Sequence, residues 1–230
     1  MADHLPIMLK LRGRRCVVIG GGAVARRRAA ALLECGAEVT VIAPEPGERW
    51  TALAVTLVRR AYEPGDLAGA VVAVAATDVP AVNAQVVREA AERGVLVNRV
   101  DDPAAGDFTV PAHARHGPIT LSVDTAGRSP SAAVAIRQQL GDALDPDWPR
   151  LLEIAGPYRA QLQATGADPA ERHARLRRLT DADAMAILKA QGPDALHAHC
   201  RAIADHPLNR PPTPASEEQR DEERDEGNDE

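Results

Sequence analysis

Short apolar runs with no polar alternation recur along the first half of the chain. Cys16-Val17-Val18-Ile19 runs into glycines, and Glu38-Val39-Thr40-Val41-Ile42-Ala43 stops at Pro44. Thr56-Leu57-Val58 is a third run, Ala70-Val71-Val72-Ala73-Val74-Ala75-Ala76 a fourth, and Val95-Leu96-Val97-Asn98-Arg99-Val100 a fifth. Such short, uniform runs predict strands buried on both faces. Residues 23–35, rich in Ala and Leu and closed by Gly36, predict a helix, as do residues 79–93 with Gly94 behind them. Strands alternating with helices predict an α/β domain built on a parallel, doubly wound sheet.

The pattern changes beyond residue 107. Residues 108–125 predict two strands around the turn His116-Gly117-Pro118, and residues 131–144 a helix. From 149 to 205 the pattern is helical, with breaks expected at Gly156-Pro157, Thr165-Gly166 and Gly192-Pro193. Pro207, Pro211, Pro212 and Pro214 follow, and then a run over 217–230 that is nearly all Glu, Asp and Arg. So little there is apolar that burial cannot offset the entropy of ordering, and 207–230 is expected to be a disordered acidic tail.

Composition narrows the functional classes. Of 230 residues, 45% are hydrophobic but only 2% aromatic, so the core must be built from Ala, Val, Leu and Ile. Scarce aromatics offer few stacking platforms, and a formal charge of −6 disfavours a nucleic-acid partner. Cys16, Cys35 and Cys200 are odd in number and scattered, which argues against disulfides and for a reducing cytoplasm. No apolar run reaches the roughly 20 residues that span a bilayer. Met1-Ala2-Asp3-His4 does not read as the start of a signal peptide.

The chemistry starts at the end of the first strand. Gly20-Gly21-Gly22-Ala23-Val24-Ala25 fits G-x-G-x-x-A between a strand and a helix, the dinucleotide-binding arrangement of a Rossmann-type domain. Gly20 permits the tight turn, Gly22 lets a pyrophosphate approach the backbone, and Ala25 lets the helix pack close. The acid for the adenosine ribose is not at its usual place; Glu45, just past Pro44, is the nearest candidate. No arginine sits at that strand end to receive a 2′-phosphate, so NAD is expected rather than NADP. Arg26, Arg27 and Arg28 read either as a solvated face or as a contact to phosphate.

Further candidates fall on the same edge of the sheet. Thr77 and Asp78 end the fourth strand, with Asp78 expected to cap the following helix. Asn98 and Asp101 end the fifth, and Asp101 is followed by Asp102 and Pro103. Neighbouring carboxylates in a cleft raise one pKa, which would make Asp101 a general base. His113 and His116, and the group His197, His199 and Cys200, are read as non-ligands, because a helix turns His197 and His199 to different faces and no fourth ligand is evident. No metal is expected.

Six blocks in order then resemble one family. They are His4-Leu5-Pro6-Ile7, Val18 through Ala25, Ala75-Ala76-Thr77-Asp78, Val97-Asn98-Arg99-Val100-Asp101, Phe108-Thr109-Val110-Pro111-Ala112 and Gly127-Arg128-Ser129-Pro130. The chain resembles the precorrin-2 dehydrogenase module of siroheme synthase over about residues 4–150, and only loosely beyond. The resemblance implies NAD-dependent oxidation of precorrin-2 to sirohydrochlorin for siroheme or cobalamin. It also implies iron insertion in some relatives. It places the essential aspartate at Asp101 and NAD contacts at Gly22, Ala23, Val24, Pro44 and Glu45. Thr125 matches a Ser or Thr near the active site, a phosphorylatable Ser in some relatives, and Ser129 lies in the same turn. A polycarboxylate substrate needs local cations, and Arg99, Arg115, Arg128 and Arg137 are the candidates.

The expected organisation is a Rossmann domain over 1–107, a small β-rich dimerisation region over 108–148, a helical part over 149–206, and the tail. Residues 108–144 are too few to close their own core, so a second copy of the chain is expected to complete it. A non-catalytic nucleotide-sensing module is the alternative; it would need the glycine loop but not Asp101 or the arginines. A dehydrogenase acting on another small acid is a second, disfavoured for the short-chain class by the lack of a Tyr-x-x-x-Lys pair.

Overall fold

The computed structural model describes residues 4–206, which divide into two compact units meeting at Pro111 and Ala112. The first holds a parallel five-stranded sheet in the order β3-β2-β1-β4-β5. Its strands are Arg15–Ile19 (β1), Glu38–Ile42 (β2), Thr56–Val58 (β3), Val72–Ala75 (β4) and Leu96–Arg99 (β5). Helix Ala23–Glu34 (α1) joins β1 to β2, and Pro80–Arg93 (α2) joins β4 to β5. Every strand expected in this unit forms.

The uniform apolar runs follow from burial on both faces. In β1, Cys16 and Val18 face one core with Val39, Val41, Val72, Val74 and the α1 residues Ala25 and Ala29. Val17 and Ile19 face the other with Ile42, Ala73, Ala75, Val97 and the α2 residues Val86 and Ala90. Alternate residues of a strand point to opposite faces, so a central strand needs apolar residues throughout. Each fully buried Val or Ile contributes roughly 1.5–3 kcal/mol. Cys16 belongs to this core, and burial pushes its thiol up to about 11.

No helix joins β3 to β4. That connection is pinned to α2 by Glu89, which is 6% exposed. Its carboxylate accepts from the backbone N–H of Gly65 (3.0 Å) and Leu67 (3.2 Å), from Arg93 (2.6 Å) and from the Tyr62 hydroxyl. Burial works against the charge, but these donors outweigh it and hold the carboxyl below its usual range. The far edge of the sheet is closed by residues 106–108. The Asp107 N–H donates to Val97 O at 2.8 Å, and its carboxylate accepts from Val97 N at 2.9 Å.

The second unit begins with an antiparallel hairpin of Ala112–His116 (β6) and Ile119–Val123 (β7), turned at Gly117, where φ is +56°. Helix Pro130–Ala143 (α3) packs on it, while its own Val134, Ile136 and Leu140 stay exposed. Helices Trp148–Gln163 (α4), Pro169–Arg178 (α5), Ala182–Gln191 (α6) and Pro193–Asp205 (α7) share one apolar core. The break expected at Gly156-Pro157 does not occur: α4 runs through Pro157. Leu151, Ile154 and Ala155 before it and Leu162 after it are buried in the same core. That packing outweighs the roughly 3 kcal/mol cost of an interior proline. The other two expected breaks lie between helices, and a third, at Leu179 to Asp181, was not foreseen; Asp181 caps α6 by accepting from Ala184 N. Among the described residues no helix is long and apolar enough to cross a membrane. The expected disordered tail lies outside the described residues.

Candidate functional site

The loops after β1, β2, β4 and β5 all open at the carboxyl edge of the sheet, where parallel sheets bind ligands. The chain leaves β1 through Gly20 at φ +127°, and a Cβ there would lie 2.3 Å from Ala76 O. The crossing of β1 against β4 therefore requires this glycine. Gly22 differs. Its backbone is ordinary (φ −77°, ψ 178°), and a Cβ there would meet nothing within 4 Å. Nothing inside the protein demands a glycine at 22; what it provides is open space at the N-terminus of α1. No acidic side chain occupies the first turn of that helix and no side chain caps it. The residues fit a dinucleotide pyrophosphate held by backbone N–H groups of Ala23 and Val24.

A second wall comes from the loop after β2. A Cβ built on Gly21 would lie 3.2 Å from Ala43 Cβ and 3.4 Å from Glu45 O, so Pro44 and Glu45 are brought against the glycine loop. Sequence reasoning missed the turn that follows. Trp50, 2% exposed, donates its indole N–H to Gly21 O at 2.9 Å. Arg26 Nε donates to Arg49 O at 3.1 Å, tying α1 to the same turn. Together Gly21, Gly22, Ala23, Arg26 and residues 47–50 line a hollow of about 420 Å³. The short helical turn Glu48–Trp50 places Arg49 among the residues lining this hollow. The one visible signal was Trp50, one of two tryptophans in the chain. Arg28 is not on a solvated face: it is half-buried, its Nε has no partner among the described residues, and burial followed by the neighbouring Arg27 draws its pKa down.

The ends of β4 and β5 carry a different cluster. Asn83 of α2 is wholly buried and donates to Asp101 Oδ1 at 2.8 Å and to Thr77 O at 3.1 Å. Its carbonyl accepts from Thr77 N (3.1 Å) and from the Thr77 hydroxyl (2.8 Å). Arg99 reaches both oxygens of Asp101, at 3.1 and 3.0 Å, and Asp102 at 3.6 Å. The Arg99 hydrogen bond, joined by Asn83 and outweighing burial, holds the Asp101 carboxyl below its usual range. This overturns the expectation of a raised pKa: the cation across from the two acids wins over their mutual repulsion. Asp78 does not cap α2. Val79 holds that position without a side-chain bond, Pro80 follows it, and the Thr77 hydroxyl accepts the Val79 N–H at 3.2 Å. Asn83 was legible only as an amide on the apolar stripe it shares with Val86 and Ala90.

Asn98 is buried beside this cluster in sequence but serves the fold. Its amide donates to Phe108 O at 2.9 Å, while its Oδ1 is buried with no partner among the described residues. In the second unit, Thr125 and Ser129 bracket a tight turn in which Ala126 has φ +51° and Gly127 +73°. The Thr125 hydroxyl accepts from Ser129 N at 3.2 Å, and Ser129 Oγ caps α3 by accepting from Ala132 N at 3.2 Å. Arg128 lies in that turn and Arg137 on α3, with its Nε buried and unpartnered among the described residues; Arg115 lies on β6. Among the described residues no group of three or more His, Cys, Asp or Glu is arranged to hold a metal ion.

A family model described as putative NAD(P)-binding matches residues 7–112. A siroheme synthase of Photobacterium profundum is 41% identical over 167 residues, 71% of this chain and 36% of that protein. One of Methylococcus capsulatus is 36% identical over 198 residues, 84% of this chain and 42% of that protein. The chain spans about two fifths of the length of these relatives. The solved structure of "SirC, precorrin-2 dehydrogenase" shares the fold, with a TM-score of 0.66 at 24% identity, over 88% of this chain and 100% of that one.

Proposed function

The chain belongs to the siroheme synthase family through a part of those proteins' length, and from that premise we propose that it oxidises precorrin-2 to sirohydrochlorin with NAD. The observation that carries this reading is the pairing of two features on one sheet edge. One is a glycine loop with unfilled space at Gly22; the other is a carboxylate, Asp101, held in place by Asn83 and Arg99.

When bound, NAD supplies the hydride acceptor. Gly22, Ala23 and Val24 hold its pyrophosphate by backbone donors, and Gly20 keeps the loop in register with β4. Pro44 and the Glu45 backbone, beside the glycine loop, would flank its adenosine end, and Thr77 at the end of β4 would be a further contact. Asn98 holds the neighbouring segment at Phe108 in place.

Asp101 is the catalytic carboxylate. In the free protein its pairing with Arg99 makes it a poor base. The substrate carries many carboxylates, and one of them draws Arg99 into a bidentate pair of its own. Losing that partner raises the basicity of Asp101 when substrate is present, and Asp101 then accepts the proton lost in the oxidation. Asn83 keeps the carboxylate oriented throughout. A second copy of the chain covers the exposed Val134, Ile136 and Leu140 of α3, and light scattering at micromolar concentration is expected to give twice the chain mass.

The test is anaerobic incubation with precorrin-2 and NAD, following NADH and sirohydrochlorin absorbance together. Stoichiometric appearance of both is expected. A folded protein that binds NAD but turns over no precorrin-2 would overturn the proposal in favour of a nucleotide-sensing module.

A further inference from the structure

The hollow beside the glycine loop holds more positive charge than a plain ribose site needs. Arg26 lines it from α1, and Arg49 from the turn after β2. Neither forms an ion pair with a carboxylate among the described residues, whereas Arg60, Arg93 and Arg99 each do. Arg26 Nε is fixed on Arg49 O, and its terminal nitrogens make no hydrogen bond within the described residues. One acid, Glu48, lines the same hollow, and Glu45 does not. In sheets of this kind the group that reads the adenosine 2′-position stands just past the second strand. An acid there binds the ribose diol, and an arginine accommodates a 2′-phosphate. Here both lie on one short turn, fixed to the loop by the Trp50 indole.

We propose that Arg26 and Arg49 form a 2′-phosphate subsite, so that the chain binds NADP as well as NAD, and that Glu48 rather than Glu45 is the acid that reads the unphosphorylated ribose. The proposal rests on the dinucleotide reading above and extends it to specificity. A phosphate dianion takes charge-assisted hydrogen bonds from two guanidinium groups. Glu48 opposes the phosphate and favours the diol, so the balance of these three side chains sets the preference.

Calorimetry on the full chain with NAD and NADP tests this without relying on turnover. The wild-type protein is expected to bind NADP within about tenfold of NAD. Arg49→Gln, an exposed position whose side chain makes no hydrogen bond among the described residues, should weaken NADP by about ten- to a hundredfold, the range for a lost charge-assisted bond. Its effect on NAD should be smaller than about threefold. Glu48→Gln should shift the preference toward NADP. The proposal is overturned if wild-type protein prefers NAD by more than about a hundredfold. It is also overturned if Arg49→Gln weakens both nucleotides alike, which would put the guanidinium on the shared pyrophosphate. NAD binding with no NADP binding would remove the subsite alone; binding of neither by folded protein would remove the dinucleotide reading with it.

Discussion

The carboxyl edge of the sheet has two halves of opposite character. At the ends of β1 and β2 bonding capacity is left over: the first turn of α1 has no acid, Gly22 faces open space, and Arg26 and Arg49 have no carboxylate partner among the described residues. At the ends of β4 and β5 the capacity of the Asp101 cluster is used up, while Asn98 Oδ1 has no partner among the described residues. Thr77, Asn83, Arg99 and Asp101 satisfy one another through a closed set of hydrogen bonds. The open half is built to receive a ligand as it stands. The closed half can act on one only by exchanging partners, and Arg99, which shares itself between Asp101 and Asp102, is the member able to exchange. Binding and chemistry are thus divided between neighbouring strand ends.

The largest expected effect follows from breaking the closed half. Asp101→Asn preserves shape and most hydrogen bonds but removes the charge that pairs with Arg99. Turnover is expected to fall by about 10²–10⁴-fold, the usual cost of losing a general base, while NAD affinity stays level. Asp102→Asn should cost far less, since Asp102 lies at the edge of the pair. The pH profile sharpens the point. In the free protein Arg99 holds the Asp101 carboxyl low, so the acid limb of kcat/KM should fall below the ordinary carboxylate pKa of about 3.9. In the substrate complex Arg99 is drawn away, so the acid limb of kcat should lie at higher pH. Coincident limbs would show that Arg99 does not exchange.

How far the sequence carried can be judged from the same two halves. The strands and both helices of the sheet were legible because central parallel strands need apolar residues at every position, and Val17, Val18, Val74 and Val97 show it. The glycine loop was legible because a local turn is specified by local residues. The Asp101 network was half legible. Asp101 and Arg99 are near in sequence, but Asn83 joins them from another helix, and its amide forecast no particular partner. The sign of the Asp101 shift was misjudged for the same reason: the two adjacent acids were visible, and the geometry of Arg99 was not. Trp50 and Arg49 were missed because only the folded turn at 48–50 brings them back to Gly21. Pro157 misled because its cost is local, while the core that outweighs it is assembled from residues on four helices.

Next in size is the stability cost of a methyl group at Gly20. With φ at +127° and Ala76 O 2.3 Å from the new Cβ, Gly20→Ala must strain the backbone and separate β1 from β4. A loss of about 2–4 kcal/mol is expected in denaturant unfolding, in the range for a strained backbone combined with a steric clash. An unchanged midpoint would mean that the loop after β4 yields easily, and Gly20 would lose its structural role.

The smallest change in stability is expected one turn further on, and it separates the two halves most clearly. Gly22 has a backbone any residue adopts, and its Cβ would meet no atom within 4 Å. Replacing Gly by Ala at such a position restricts the unfolded chain and so stabilises by roughly 0.4–1 kcal/mol. Gly22 is also the N-cap of α1, where Gly is clearly preferred to Ala. The two terms oppose each other, and the melting temperature of Gly22→Ala should stay near that of the wild type. NAD affinity should nonetheless fall by about tenfold, since the methyl group enters the space a pyrophosphate would fill. Gly22→Asp should lose more, adding a charge that repels the phosphates. Loss of affinity at unchanged stability is the signature of a glycine kept for a ligand. Undiminished NAD affinity in a folded Gly22→Asp protein would mean that the space at the helix N-terminus is not where the nucleotide lies, and the open half of the edge would need another occupant.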